Sequence, residues 1–157
     1  MQELWVHALE ARRGDIRSRW EDLLRTERVN TPLANPDALV HLIDSTLAEI
    51  FGALLHPSSR RKVVHAADFS AVRAKCVCGR NPYLAYFVAG EQALLEALVL
   101  AQAEGPPLDP EARDSAVQEL YGVMRASARR EIESFCSLCQ YRSEALAHAD
   151  QLHHQAS

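Results

Sequence analysis

The chain has 157 residues, 48% of them hydrophobic and 24% charged, which is the size of one ordinary domain with material for a core and excludes wholesale disorder. A net charge of −4 provides no basic field to gather nucleic acid. The densest basic run, Arg60-Arg61-Lys62 after Pro57-Ser58-Ser59, reads as a solvated loop, because non-specific binding to a phosphate backbone takes several contacts.

The first segment is helical by its spacing: Trp5, Leu9, Ile16, Trp20 and Leu23 recur at multiples of three and four and share one face. Gly14-Asp15 interrupts it and predicts a new helix start with Asp15 as N-cap, fading near Asn30-Thr31-Pro32. Asn35-Pro36 is a start signal, a capping side chain followed by a proline whose missing N–H costs nothing in the first turn. Behind it Leu39, Ile43, Leu47, Ile50 and Leu54 form a stripe that runs to His56-Pro57.

Phe69, Val72 and Cys76 suggest a short helix between two loops. Asn81-Pro82 repeats the start signal, and its helix carries Leu84, Phe87, Leu94, Leu95 and Leu98 up to Gly105-Pro106-Pro107. Asp109-Pro110 opens the longest helix, with Val117, Leu120, Met124, Ile132, Phe135, Cys139 and Leu146 in period to about His148. No segment alternates with period two. The expected fold is all-α: an antiparallel bundle of four main helices plus one short helix, in a single domain over residues 1–150 with a mobile tail over 151–157.

No apolar leader follows Met1, and the longest strongly apolar stretch, Ala93 to Ala101, is interrupted by Glu96 and falls short of the ~20 residues that span a bilayer. The expected location is the cytoplasm. In that reducing compartment, four cysteines suggest metal binding or redox chemistry before structural disulfides.

Cys76 and Cys78 form C-x-C ahead of Gly79 and the Asn81-Pro82 helix start, while Cys136 and Cys139 form C-x-x-C. On a helix the second pair would hold both thiols on one face, one turn apart. Four thiolates make a complete tetrahedral set for zinc, or alternatively for an iron–sulfur cluster. C-x-C is not a usual zinc-finger spacing, so two other readings stay open: small core hydrophobes on the stripe of Ile132 and Phe135, and a reversible disulfide without metal.

His65, upstream of Cys76, is an auxiliary candidate ligand; each of the other histidines reads as surface or satisfied core. Glu91 interrupts the stripe between Phe87 and Leu94, where a carboxylate is costly to desolvate unless paired. It either neutralises a basic group near the cysteine loop, such as Arg80, or sits in water at the stripe edge. No phosphate loop, G-x-S-x-G, H-E-x-x-H or readable Ser/His/Asp arrangement occurs, so nothing argues for an enzyme.

Ile16-x-x-Arg19-Trp20, a polar loop, and Asn35-Pro36 opening a second amphipathic helix resemble the N-terminal sensor domain of RsbT co-antagonist (RsbRD-type) proteins, over roughly Ala11 to Leu55. The resemblance implies an all-helical sensory domain of the kind that precedes signalling output domains. It carries no catalytic residues, and the cysteine pairs are not part of its pattern. No output domain follows, so the expectation is a non-enzymatic regulatory or sensory domain that signals through a partner protein, with room for a homodimer and with the cysteine site as input or clamp. The alternative is a small iron–sulfur or dithiol electron-transfer protein.

Overall fold

In the computed structural model, which describes residues 1, 3–26, 34–56, 80–107 and 109–139, no described residue lies in a strand. Among the described residues there are five helices: α1 (Glu3–Ala11), α2 (Arg13–Thr26), α3 (Pro36–Leu55), α4 (Pro82–Glu104) and α5 (Pro110–Leu138). α3 tightens into a 3₁₀ turn at Val40–Leu42.

The three Asx-Pro starts form as expected. Asn35 accepts the Asp37 N–H, Asn81 the Tyr83 N–H and Asp109 the Ala112 N–H, each with proline at the next position. One otherwise orphaned donor is satisfied at each start. The first break lies two residues earlier than its sequence signal. The turn is at Arg12, whose N–H reaches the Leu9 carbonyl, and Ile16 bonds back to Arg12. Gly14 and Asp15 therefore sit inside α2, where Asp15 faces the positive end of the helix dipole.

Most of the predicted stripes are the core. Trp5, Leu9, Ile16, Trp20, Leu39, Ile43, Leu47, Ile50, Leu54, Phe87, Leu94, Leu98, Leu120, Met124 and Ile132 are all buried. Leu24 takes the buried place expected of Leu23, which is half-buried. The expected short helix around Phe69, the basic run at Arg60 and the tail fall outside the described residues.

α4 is the central element and packs against α1, α2 and α5, while α3 packs against α5. α2 and α4 run in opposite directions: Arg12, at the turn before α2, pairs with Glu104, Arg19 with Glu96, and the Trp20 indole N–H donates to the Tyr86 carbonyl at 2.9 Å. The two backbones approach closely at Gly90, where a Cβ would collide with the Trp20 ring. Tyr86 lies against Trp20 at 4.8 Å between ring centroids and edge-on to Phe87 at 5.2 Å, so an aromatic cluster fills this crossing.

Because α4 has neighbours on several sides, apolar residues ring it instead of forming one stripe. This corrects the expectation about membrane-length segments. By length and composition, Pro36–Leu55 and Pro82–Glu104 are each long and apolar enough to cross a membrane. Over a full helix the alanines, leucines and valines outweigh isolated charges such as Glu91 and Glu96. Half of the most apolar window of α4 is buried inside this fold, which is a use for that surface without lipid.

Candidate functional site

The start of α4 meets the end of α5, where Asn81 and Cys136 come into contact. Asn81 caps α4 with its side-chain oxygen, which accepts the Tyr83 N–H at 3.0 Å. Its amide nitrogen donates across to α5, to the Ile132 carbonyl at 3.1 Å and to Cys136 Sγ at 3.3 Å. Both residues are buried, Asn81 at 4% and Cys136 at 8% exposure. A buried amide with its hydrogen bonds made in this way holds its neighbours in register. An N–H aimed at a sulfur is also the outer support that ligating side chains use.

Cys139 ends α5. Its backbone is extended (φ −75°, ψ 114°) and its N–H reaches back to the Cys136 carbonyl at 3.4 Å. The expectation of two thiols on one helical face is corrected accordingly: Cys136 belongs to the last turn and Cys139 to the cap, so α5 ends at Leu138, and the rest of the stretch expected up to His148 lies outside the described residues. Serines near the end contribute to the exit, since Ser137 Oγ donates to the Ser134 carbonyl at 2.7 Å and such local bonds compete with helix propagation. The pair still sits together at one end of α5.

Cys76, Cys78 and His65 lie outside the described residues. Two of the four expected ligands are therefore placed, and among the described residues no three His, Cys, Asp or Glu side chains gather as a metal set.

Glu91 is half-buried on α4, and the cation acting on it is Arg125 of α5 rather than Arg80. Burial pushes its carboxyl above the usual range, with Arg125 pulling the other way. One Glu91 oxygen (Oε2) and Arg125 Nε are both buried without a hydrogen-bond partner, so the two groups sense each other's charge without meeting. The Arg125 guanidinium lies over the Tyr121 ring at 4.9 Å, a cation–π contact.

A polar cleft of about 170 Å³ opens between α3, α4 and α5, with Thr46, Glu49, Tyr83, Ser127 and Arg130 in its wall. Arg130 grips Glu49 through two bonds at 2.7 and 2.8 Å, Ser127 Oγ donates to the same carboxylate at 2.9 Å, and the Thr46 and Tyr86 hydroxyls lie 2.8 Å apart. Burial raises the Tyr86 phenol above its ordinary value, against the Thr46 bond. The cleft is smaller than the ~300 Å³ at which small-molecule pockets begin, and its polar groups are engaged with one another. It ties α3 to α5.

Sequence reading assigned Asn81 only a cap. Its second role had one available signal, its place three residues after Cys78 in C-x-C-G-x-N-P. Arg125 carried no signal, because nothing local marks which helix Glu91 faces. Comparison with protein-family models, with curated proteins and with solved structures finds no match.

Proposed function

We propose that this chain is a non-enzymatic regulatory or sensory helical domain in which Cys76, Cys78, Cys136 and Cys139 hold one zinc ion that clamps the segment ahead of α4 onto the end of α5. The observation that carries the reading is the Asn81–Cys136 hydrogen bond at 3.3 Å. Only three residues of chain lead from Cys78 to Asn81, a reach of at most about 11 Å at full extension. Cys78 is thereby tethered close to the buried Cys136, and Cys76 stands two residues further on. Four thiolates suit zinc at bond lengths of about 2.3 Å, and the positive end of the α4 dipole favours the negative charge they bring.

The frame of the clamp, on this reading, is an antiparallel four-helix bundle in which α1 and α2 together form one position. Loss of the metal would free α4 and α5 to slide, which is how a change of metal or redox state would reach a partner protein. A sensory role agrees with the resemblance of Ala11 to Leu55 to RsbT co-antagonist sensor domains, and a cytoplasmic setting agrees with four thiols used as ligands.

The test is elemental analysis of the anaerobically purified chain. About one zinc per chain is expected, without visible absorbance. Cys139→Ser and Cys78→Ser should lose it and melt lower; neither removes a fully buried side chain from the described core, so the loss reads the metal. A brown protein with iron and sulfide would replace zinc with a cluster and move the reading to electron transfer. No metal, four titratable thiols and harmless serine variants would leave the cysteines as ordinary residues.

A further inference from the structure

The C-x-x-C pair straddles the end of α5, and its two thiols are unequally placed. Cys136 is 8% exposed, and its sulfur accepts the Asn81 amide N–H at 3.3 Å. Cys139 is half-buried and has left the helix, with extended backbone at the cap. Neither is in a disulfide. One thiol is covered and hydrogen-bonded while its neighbour is open to a small oxidant, the arrangement of a resolving cysteine beside an attacked one.

The backbone also brings the two within bonding range. The Cys139 N–H reaches the Cys136 carbonyl at 3.4 Å, and a bond that closes four residues in this way keeps their Cα atoms within about 7 Å. Beyond about 7 Å two cysteines cannot be bridged without moving the backbone. Since Cys139 lies past the last helical residue, its sulfur can turn toward Cys136 without bending α5.

We propose that a peroxide joins Cys139 to Cys136 in a disulfide, and that this bond opens the zinc clamp; the opening rests on the zinc reading above. The Cys139 thiolate attacks one peroxide oxygen, the O–O bond breaks and hydroxide leaves, which gives a sulfenic acid on Cys139. The Cys136 thiolate then attacks that sulfur, the S–S bond forms and a second hydroxide leaves. Two protons from solvent turn both hydroxides to water, so the sulfur pair loses two electrons and the peroxide gains them. Zinc is left with two thiolates and departs. The Cys136 sulfur has lost its charge, and the Asn81 amide keeps the Ile132 carbonyl as partner. Tyr83 still stands edge-on to Phe135 at 6.1 Å, so the joint between α4 and α5 loosens without coming apart. A loop this short restrains the unfolded chain little, so the disulfide does not replace the stability that the metal gave.

The test adds hydrogen peroxide to the full, reduced, zinc-loaded chain. It follows zinc with a chromogenic chelator and, by mass, the tryptic peptide 131–142, which holds Cys136 and Cys139 between Arg130 and Arg142. The peptide should become lighter by two hydrogens at the rate at which zinc appears, and dithiothreitol should reverse the change. The oxidised chain should keep its helix content by circular dichroism and melt lower. These readouts need no variant. In metal-free variants, dimedone should trap Cys139 of Cys136→Ser more than tenfold faster than Cys136 of Cys139→Ser. An untreated chain without zinc would sink the clamp, and its opening with it. With zinc present, four results would overturn the switch and leave the clamp standing: zinc retained under peroxide, zinc lost with no disulfide inside 131–142, a disulfide from that peptide to 76–80, or equal trapping rates.

Discussion

Replacing Gly90 by alanine sets two effects of known size against each other. A Cβ at this position would fall about 2.5 Å from Cε2 and Cη2 of Trp20 and closer still to Cζ2. The ring has nowhere to go: Trp20 is 0% exposed, its N–H is held by the Tyr86 carbonyl at 2.9 Å, and Tyr86 lies against its face. Relief requires α2 and α4 to separate by roughly 1 Å, which belongs near the upper end of the ~1–3 kcal/mol typical of overpacking. Alanine returns about 1 kcal/mol of helix propensity, so Gly90→Ala should lose about 2 kcal/mol. Gly52 and Gly122 are the controls, since nothing lies within 4 Å of a Cβ built at either. There the same substitution should gain up to about 1 kcal/mol. Urea unfolding followed by circular dichroism, with unchanged m-values, measures all three. In a thermal scan, Gly90→Ala should fall by roughly 4–8 °C and Gly122→Ala should rise by roughly 2–4 °C. A Gly90→Ala chain as stable as the parent would refute the close α2–α4 contact, and with it the placement of Trp20.

Trp20→Ala should cost about 3–5 kcal/mol, as a fully buried aromatic truncated to a methyl does; a chain that melts like the parent would mean the ring is exposed. Asn81→Ala removes the cap and the bonds to Ile132 and Cys136 together and should cost about 2 kcal/mol by urea unfolding. Asn81→Asp keeps the cap but not the donor to sulfur, so it should lower the zinc retained after dialysis while losing less stability than the alanine variant. The Glu96 carboxyl is held down to about 2 by hydrogen bonds from Arg19 and Gln92. A carboxyl lowered in the folded state adds stability that is complete above the ordinary carboxylate range and is lost as pH falls from there through about 2. Glu96→Gln should therefore melt slightly below the parent at pH 7, with the gap closing between about pH 4.5 and pH 2; it stays small because the pair stands in water. A gap that widens in acid would contradict the pairing.

Helix content and most of the core were legible because period and caps are local. Asn35, Asn81 and Asp109 each satisfy donors two or three residues away, and a stripe such as Leu39 to Leu54 names its own buried face. What failed was the exact place of helix ends and anything that depends on a neighbouring element. The first break moved from Gly14 to Arg12, and the last helix ended at Leu138 although the apolar period continues beyond it. Helix ends depend on small differences between competing local bonds that period does not register. The partner of Glu91, the bond from Asn81 to Cys136, and the need for glycine at position 90 were decided only by packing. Each joins residues tens of positions apart, and their distance is set by how α2, α4 and α5 cross, which no local pattern encodes.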